Sequence, residues 1–551
     1  MRAQGHQPRR PAGTPAGGQW APTLHAETDI SLARPSGRSH RPGLLTLTLA
    51  ARTVLNACRQ AGGRPLVVGG SVRDALLGQH EPKDIDIEVY DVADRERFLE
   101  AMSQVGDWSD TVGRSFGVVK VRLGSENFDI SLPRRDNKVG SGHRGFVVQT
   151  ANLDEAEAAA RRDFTVNALA WDPATEELVD PWGGEADLRA GVLRATSPAF
   201  AEDPLRVLRD MQFAARYGWH MDAATAKMCA SLRSAYGELP VERVGEEWHK
   251  ALTRGQDFSA MLAVLQQTGW LSHYPELAAL DGLEQEPDWH PEGDVLTHAG
   301  LAASVAARLA DEAGLEGDDR YVVVGAALCH DLGKATTTTC KWDTAGVERI
   351  VSPGHAEAGA PLAESFLVSI GCPERLRQRV LPLVAEHMAA TVGQPTDHAV
   401  RRLARRLVPA TIAEWALVVR ADRNGRGPLV DRTGEVDNWL ARASALDVYR
   451  APAKRILTGD HLIAAGWTPG PHFRPVLDAA EHAQDDGEFD DEAGAVAWLE
   501  RNYVATRKEQ VEYGIVLHRG RPSVKGGNCG TEQVQPNEDA GAGALHSSAR
   551  W

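Results

Sequence analysis

The chain has 551 residues, 42% of them hydrophobic and 25% charged, and a net charge of −16. That length exceeds what one hydrophobic core serves and implies about three or four structural units. The acidic balance excludes a surface that binds nucleic acid throughout, so any RNA-binding face must be a local basic one. No apolar run reaches the ~18 residues of a membrane span. Six cysteines without a CxxC pair fit neither a zinc ribbon nor a disulfide framework, and suit a reducing cytoplasm.

In chain order, residues 1–44 are rich in Pro, Gly, Arg and Ser and show no periodicity. They are expected to form a flexible tail; they carry no apolar core of the kind a secretory signal has. Residues 45–190 mix strand and helix patterns (LVVGG, DIDIEVY, VVKVRL, NFDISL, FTVNALAWD) and read as an α/β head. From about Ser197 the spacing is helical, and no strand series is expected. The helical part divides into residues 191–255, 256–289, a histidine-bearing segment 290–430 and a C-terminal region 431–517. A second flexible tail is expected over 518–551.

The head holds the first chemical pattern. In DIDIE, alternation sends Ile85, Ile87 and Val89 to one face and Asp84, Asp86 and Glu88 to the other. Asp84 and Asp86 then point the same way, about 7 Å apart. Such carboxylates repel unless a cation lies between them, the geometry for divalent metal holding a triphosphate. NFDISL offers a third acid, Asp129, facing out while Phe128, Ile130 and Leu132 face in. Upstream, Gly69 and Gly70 permit close backbone approach, Ser71 is placed to cap a helix whose N-terminus favours phosphate, and Arg73 adds charge in its first turn.

Two later stretches follow the same logic. Arg161, Arg162 and Asp163 put two cations and an acid in one turn, with Asn167 four residues beyond Asp163. Arginine suits phosphate oxygens, and an Asp or Asn suits a ribose hydroxyl. In EDPLRVLR, Asp203 can cap a helix, Pro204 fits its first position, and Arg206 shares a face with Asp203. A carboxylate beside a guanidinium can pair with the Watson–Crick edge of a base; an N-cap with an ion pair explains the same spacing. Arg209 follows one turn on. Glu242, Arg243, Glu247 and Lys250 read as a helix packed behind this pocket.

The order GGSVRD, DIDIE, RRDFTVNALA, DPWGG, AEDPLRVLRDMQFAARYGW and VERVGEEWHKAL resembles the successive motifs of class II tRNA nucleotidyltransferases, the CCA-adding enzymes and bacterial poly(A) polymerases. The resemblance runs from about Leu66 to Leu252 and more loosely to about residue 510. It implies an α+β nucleotidyltransferase head with a mixed sheet, a neck over 191–255 whose helix selects the nucleotide base, and an all-α body. Catalytic roles fall to Asp84, Asp86 and Asp129 with two Mg²⁺. Nucleotide binding falls to Gly69, Gly70, Arg73, Arg161, Arg162, Asp163, Asn167, Asp203, Arg206 and Arg209. The implied partners are tRNA, CTP and ATP, with no DNA and no membrane, in the cytoplasm. A poly(A) polymerase or an enzyme adding only part of CCA is the alternative.

Within 290–430, ALCHDLGK gives the adjacent pair His330-Asp331, with His298 upstream and Asp422 downstream on their own helical patterns. Imidazole and carboxylate together suit a divalent transition metal. The H…HD…D pattern resembles the HD phosphohydrolase domain, which implies metal ligation by His298, His330, Asp331 and Asp422, with His355 and His387 as further ligands or phosphate contacts. The implied ion is Ni²⁺, Mn²⁺, Co²⁺ or Mg²⁺. Lys334, one turn past the pair, is placed to meet a phosphate. Some bacterial CCA-adding enzymes carry such a domain at this position. A phosphohydrolase with a vestigial transferase head is a second alternative, and a non-catalytic RNA-binding protein a third; the acid cluster argues against the latter because RNA affinity needs Lys and Arg.

Overall fold

The computed structural model describes residues 37–80, 84–110, 118–133, 135–138, 146–149, 153–391, 394–426 and 433–503. The expected C-terminal tail lies outside the described residues, as does the N-terminal one up to residue 36. The chain divides into two units, residues 1–452 and 453–551.

The first unit opens with a mixed sheet built from β1 (Arg38–His40), β2 (Arg64–Val68), β3 (Asp84–Tyr90), β4 (Trp108–Asp110), β5 (Val118–Leu123) and β6 (Glu126–Ser131). A separate ribbon, β7 (Arg135–Lys138) with β8 (Phe146–Gln149), follows. β9 (Ala170–Asp172) and β10 (Glu177–Val179) return to the main sheet, whose order is β1-β10-β9-β2-β3-β6-β5-β4. β3 and β6 pair in parallel and the other neighbours are antiparallel. Because β1 is an edge strand and Leu44 and Leu45 are buried, the ordered head begins inside the stretch assigned to a tail over 1–44.

Alternation on β3 and β6 decides the core. Ile85, Ile87, Val89, Phe128, Ile130 and Leu132 are all buried in one cluster with Val54 and Leu55 of the helix Leu49–Gln60 and Phe98 and Leu99 of the helix Arg95–Ser103. Their burial leaves the opposite face of the central strands for polar groups.

After residue 197 the described chain is mainly helical. The helix Leu205–Tyr217 stops at Gly218, whose φ of 67° suits a residue without Cβ. It packs on Val241–Arg254 and Phe258–Thr268. Trp248, fully buried, donates through Nε1 to the Tyr274 hydroxyl at 2.9 Å and meets the Phe366 ring edge-on at 5.3 Å. That contact ties the middle of the chain to the histidine-bearing helices. Isolated short strands do occur here, without forming a series: His220–Met221, paired with Val192–Leu193 upstream, and a hairpin of Thr339–Trp342 with Glu348–Val351. The hairpin is exposed on its first strand, so it carries no alternating apolar signal.

The helix Thr433–Ala445, expected with the C-terminal region, belongs to the first unit and packs Trp439 against Trp415, ring centroids 5.4 Å apart and tilted by 55°. The second unit has helices Gly459–Ala464, Phe473–Asp485 and Glu492–Asn502 around Leu462, Trp467, Val476 and Trp498. No helix among the described residues is long and apolar enough to cross a membrane.

Candidate functional site

Register brings the acids together. β3 and β6 run in parallel with Asp86 opposite Asp129 and Asp84 opposite Asn127. In-register neighbours present side chains to the same face, so Asp84, Asp86 and Asp129 line one cleft of about 390 Å³ with Trp108, Lys120 and Asn127. Lys120 Nζ lies 3.0 Å from Asp129 Oδ2. Burial lifts the Asp86 carboxyl above its ordinary range; Arg162 opposes this, and Asp129 and Asp84 add to it. Three carboxylates gathered with so little compensation form a hard oxygen donor set, which fits a divalent cation.

Glu88 keeps to the face that alternation assigns it. It lies on the same face as Asp84 and Asp86 but is 1% exposed, because the two arginines cover it. Arg161 Nη2 sits 2.9 Å from Glu88 Oε1, Arg162 Nη2 lies 3.9 Å from Oε2, and the Tyr90 hydroxyl donates to Oε2 at 2.8 Å. Burial alone would raise Glu88; Arg162, Arg161 and Tyr90 together hold it below the usual range. Glu88 thus anchors both arginines to the strand that carries the acids. Nothing in DIDIE distinguishes it from its neighbours.

Gly69 closes this corner. Its φ is 75°, and a Cβ there would lie 2.8 Å from Arg162 Nη1 and 3.6 Å from Asp86 Oδ2. Gly70 is less constrained: the nearest atom to its added Cβ is 3.6 Å away. Ser71 does not cap the following helix, Gly70–Leu76. Its hydroxyl donates to the Asp84 carbonyl at 2.9 Å, and Gly69 is the cap. Arg73 is 4% exposed rather than displayed on the first turn. It donates to Asn167 Oδ1 at 2.6 Å and to Asp74, and stacks on Phe213 and Tyr217. Its charge organises the fold behind the cleft.

A second cleft, about 610 Å³, is lined by Arg161, Arg162, Asp163, Asp203, Arg206 and Arg209 together with Arg243, Glu247 and Lys250. Asp163 is buried. It accepts from Asn167 Nδ2 at 2.9 Å, the Phe164 amide at 2.8 Å and Arg209 Nε at 2.7 Å. Burial would raise it, but Arg209 and these hydrogen bonds hold it below its usual range.

Asp203 accepts from the Leu205 amide at 3.1 Å, so it does serve the start of the helix Leu205–Tyr217. Its other oxygen accepts from Arg243 Nη2 at 3.0 Å. Arg206 does not pair with Asp203: its guanidinium donates to the carbonyls of Ala199 at 2.8 Å and Arg161 at 2.5 Å. The pair expected from i,i+3 spacing is thus two cleft-lining groups with separate supports. Arg243, Glu247 and Lys250, read from sequence as packing residues, line this cleft as well.

The second constellation is a closed centre at helix ends. His298 lies on Val295–Glu312, His330 and Asp331 end Gly317–Cys329, His355 opens His355–Ser369, His387 ends Glu374–Glu386, and Asp422 lies on Ile412–Gly425. His298 Nε2 is 3.3 Å from His330 Nε2 and 3.1 Å from Asp422 Oδ1. His330 Nε2 is 3.2 Å from Asp331 Oδ2, and His355 Nε2 is 3.3 Å from Asp331 Oδ1 and 3.1 Å from His387 Nε2. All six residues are buried.

The opposite ring nitrogens explain the convergence. Nδ1 of His330, His355 and His387 faces the carbonyl of Ala327, Ser352 and Val384 at 2.8, 2.8 and 2.7 Å. His298 Nδ1 faces Glu292 Oε1 at 2.7 Å, and His290 Nδ1 faces the same oxygen at 2.8 Å. An acceptor on Nδ1 sets the tautomer that leaves Nε2 free to ligate. Two groups that share His330, His298–His330–Asp422 and His330–Asp331–His387, bring their ligand atoms close enough to hold a divalent metal, and His355 lies beside Asp331.

Burial opposes charge on His330, yet Asp331 and Asp422 draw its pKa up to about 10; burial, with His330 adding to it, pushes His387 down to about 3. Glu292 and His290 are residues that sequence reasoning missed. They stand outside the H…HD…D pattern and are recruited only by proximity.

Residues 66–194 match the family model for the Poly A polymerase head domain, and residues 295–423 match that for the HD domain. The chain is 36% identical over 430 residues to the multifunctional CCA protein of Xanthomonas campestris pv. campestris (strain B100), covering 76% of this chain and 97% of that protein. It is 37% identical over 376 residues to the one from Xylella fastidiosa (strain 9a5c), covering 65% and 83%. Among solved structures, the Bacillus stearothermophilus CCA-adding enzyme in complex with CTP superposes with a TM-score of 0.54 at 20% identity, covering 82% of this chain and 98% of that one. The Thermotoga maritima CCA-adding enzyme complexed with tRNA gives 0.51 at 17%, covering 84% and 98%. At these identities the structures establish the fold.

Proposed function

The chain belongs to the family of multifunctional CCA proteins, and on that premise we propose how its residues perform the reaction. It is a tRNA nucleotidyltransferase that adds CMP and AMP, from CTP and ATP, to the tRNA 3′ end without a nucleic-acid template. The observation that carries the assignment of residues is the register setting Asp86 beside Asp129, with Gly69 lying between Asp86 and Arg162.

In this reading the divisions named from sequence are the head, neck, body, HD domain and C-terminal region. Arg161 and Arg162, fixed on Glu88, hold the triphosphate. Gly69 lets the backbone come close where Arg162 and Asp86 meet. Asp163 and Asn167 face the ribose, and Arg73 and Arg209 hold those two in place. Asp203 and Arg206 read the base edge, each kept in position by its own partner, Arg243 for the acid and two main-chain carbonyls for the cation. Asp84, Asp86 and Asp129 would hold two Mg²⁺, which would supply charge neutralisation for nucleotidyl transfer. The protein works in the cytoplasm, where its tRNA substrate is.

A second activity is supported by the buried histidine centre. His298, His330, Asp331 and Asp422, with His355 and His387, hold a divalent ion (Ni²⁺, Mn²⁺, Co²⁺ or Mg²⁺) that supplies Lewis acidity for hydrolysis of phosphate esters such as 2′,3′-cyclic phosphates.

The test is incubation with a tRNA lacking CCA and with each NTP in turn, followed by sequencing of the 3′ ends. Ordered addition of two C and one A supports the reading. A homopolymeric A tail points to a poly(A) polymerase, partial addition to a CC- or A-adding enzyme, and no addition beside intact hydrolysis to a vestigial head.

A further inference from the structure

A cleft of about 460 Å³ lies between the turn after Glu386, the helix Asp397–Arg406 and the helix Thr433–Ala445. It shares no lining residue with the two clefts of the transferase or with the histidine centre. Its size falls within the range of small-molecule sites, roughly 300–1,000 Å³. The helix Asp397–Arg406 explains its form. Val400, Leu403 and Ala404 are buried, so the other face turns His398, Arg402 and Arg406, at four-residue spacing, towards the cleft. Pro395 and Ala399 bring neither bulk nor charge and leave an apolar slot. Trp439 lines that slot and is 5% exposed. Its neighbour Trp415 donates through Nε1 to the Glu386 carbonyl at 2.8 Å, but Trp439 Nε1 is buried with no acceptor. No other tryptophan among the described residues is left so.

We propose that this cleft binds one nucleoside monophosphate unit, its base in the slot beside Trp439 and Gln394 and its phosphate at Arg402 and Arg406. The site is separate from both activities proposed above and depends on neither.

The donors and surfaces match that unit part by part. A buried indole N–H normally has a partner, so the orphaned Nε1 marks the place of an acceptor that the protein does not supply. Every nucleobase carries ring-nitrogen or carbonyl acceptors on a flat apolar body, which a slot with an aromatic wall suits. Gln394 is exposed and makes no hydrogen bond to a described residue; its carboxamide offers both a donor and an acceptor to a base edge. Arg406 Nε and Nη2 hold the two oxygens of Glu386 at 2.6 and 2.9 Å, which fixes the guanidinium while its side chain stays 50% exposed. A guanidinium braced in this way presents its remaining edge to a phosphate without further ordering cost. A purely apolar ligand would leave Nε1 and Gln394 unpaired, and a simple anion would leave the slot unfilled. A free nucleotide and an unpaired nucleotide of RNA share the base, ribose and phosphate that the cleft fits.

The experiment titrates the full-length protein with photoreactive 8-azido-AMP and identifies the cross-linked peptides by mass spectrometry. Affinity is taken only from peptides that hold residues 389–406 or Trp439, so binding elsewhere in the chain does not enter. Saturable labelling that AMP and CMP displace is expected. Trp439→Phe keeps a ring and removes the N–H, and should weaken binding roughly two- to twelvefold, the range of one hydrogen bond. Arg406→Gln should weaken it roughly tenfold or more, as a charged hydrogen bond does, with partial recovery in Arg406→Lys. CCA addition should stay at its wild-type rate in all three. If Trp439→Phe does not fold, the surface variants Arg406→Gln and Gln394→Ala carry the test. Displacement by tRNA lacking CCA assigns the cleft to an unpaired nucleotide of RNA, and displacement by free nucleotides alone assigns it to a small molecule; either supports the site. Unlabelled cleft peptides, labelling that does not saturate, or labelling that Arg406→Gln and Gln394→Ala both leave unchanged overturns it. Displacement by inorganic phosphate as strong as by AMP also overturns it, because the slot then plays no part.

Discussion

The two candidate centres hold their acids in opposite ways. On the sheet, Asp84, Asp86 and Asp129 stand on an open face, and the strand register alone makes them neighbours. In the helical centre, ligands from residue 298 to residue 422 meet in a buried knot, each imidazole aimed by an acceptor behind it. An open acid cluster tolerates loss of a member, because removing a repelling carboxylate relieves the fold. A buried knot does not, because each group left behind keeps its desolvation cost.

The largest effect expected from that contrast is on the sheet. Asp86→Ala should lower nucleotide addition by roughly three orders of magnitude or more, with thermal stability near wild type and hydrolysis intact. Assays of both reactions on one preparation check it; full addition activity would remove Asp86 from the site.

His330→Ala is the mirror experiment. Hydrolysis should fall at least about a hundredfold and metal content should drop, while CCA addition persists. Here the thermal midpoint should fall as well, since Asp331 and Asp422 are left buried beside a missing partner. An unchanged midpoint and metal content would make the helical centre as forgiving as the sheet.

Between these lies base selection. A base-reading contact is worth about 1–3 kcal/mol, roughly 5- to 150-fold in discrimination. Arg206→Ala should admit UTP or GTP by such a factor and blur the switch from C to A. Arg209→Ala should alter selectivity less, because Arg209 is committed to Asp163. Kinetics with all four NTPs on tRNA ending before CCA, at C and at CC decide it. Equal slowing of all four with the order preserved means Arg206 only braces the helix start.

Two smaller effects test Glu88, the one buried acid of the sheet site. Glu88→Gln should raise KM for NTP about tenfold and change kcat little; an equal loss in both would mark a folding role. The same variant should flatten the acid limb of stability. Glu88 and Asp163 are held below their ordinary pKa. Their contribution is therefore complete above the unfolded-state values near pH 4 and is lost as pH falls towards the depressed native ones. Urea unfolding between pH 7 and pH 3 should show a shallower decline in Glu88→Gln than in wild type.

Much of this was legible in the residues. Period-two alternation in DIDIE and NFDIS names the three acids, since the inward isoleucines leave them only one face. The HD pair with His298 and Asp422 is legible as a pattern of ligand types. Alternation places Glu88 on the right face but does not report what covers it; the arginines that bury it come from seventy-odd positions downstream. Asp203 precedes the helix that carries Arg206, and the two line one cleft, yet their hydrogen bonds go elsewhere because Arg243 and two carbonyls from other segments are nearer.

What the sequence determines by itself is local: which face of a strand is apolar, where a helix begins at Asp203-Pro204, where it must end at Gly218, and which side chains can ligate metal. These follow from the periodicity of the backbone and the chemistry of single residues. Tertiary structure alone decides who stands beside whom. It sets Asp86 against Asp129, covers Glu88 with Arg161, and buries Arg73 under Phe213 and Tyr217. Burial and electrostatic coupling depend on distance in space, and between residues far apart in the chain that distance is fixed only when the elements pack.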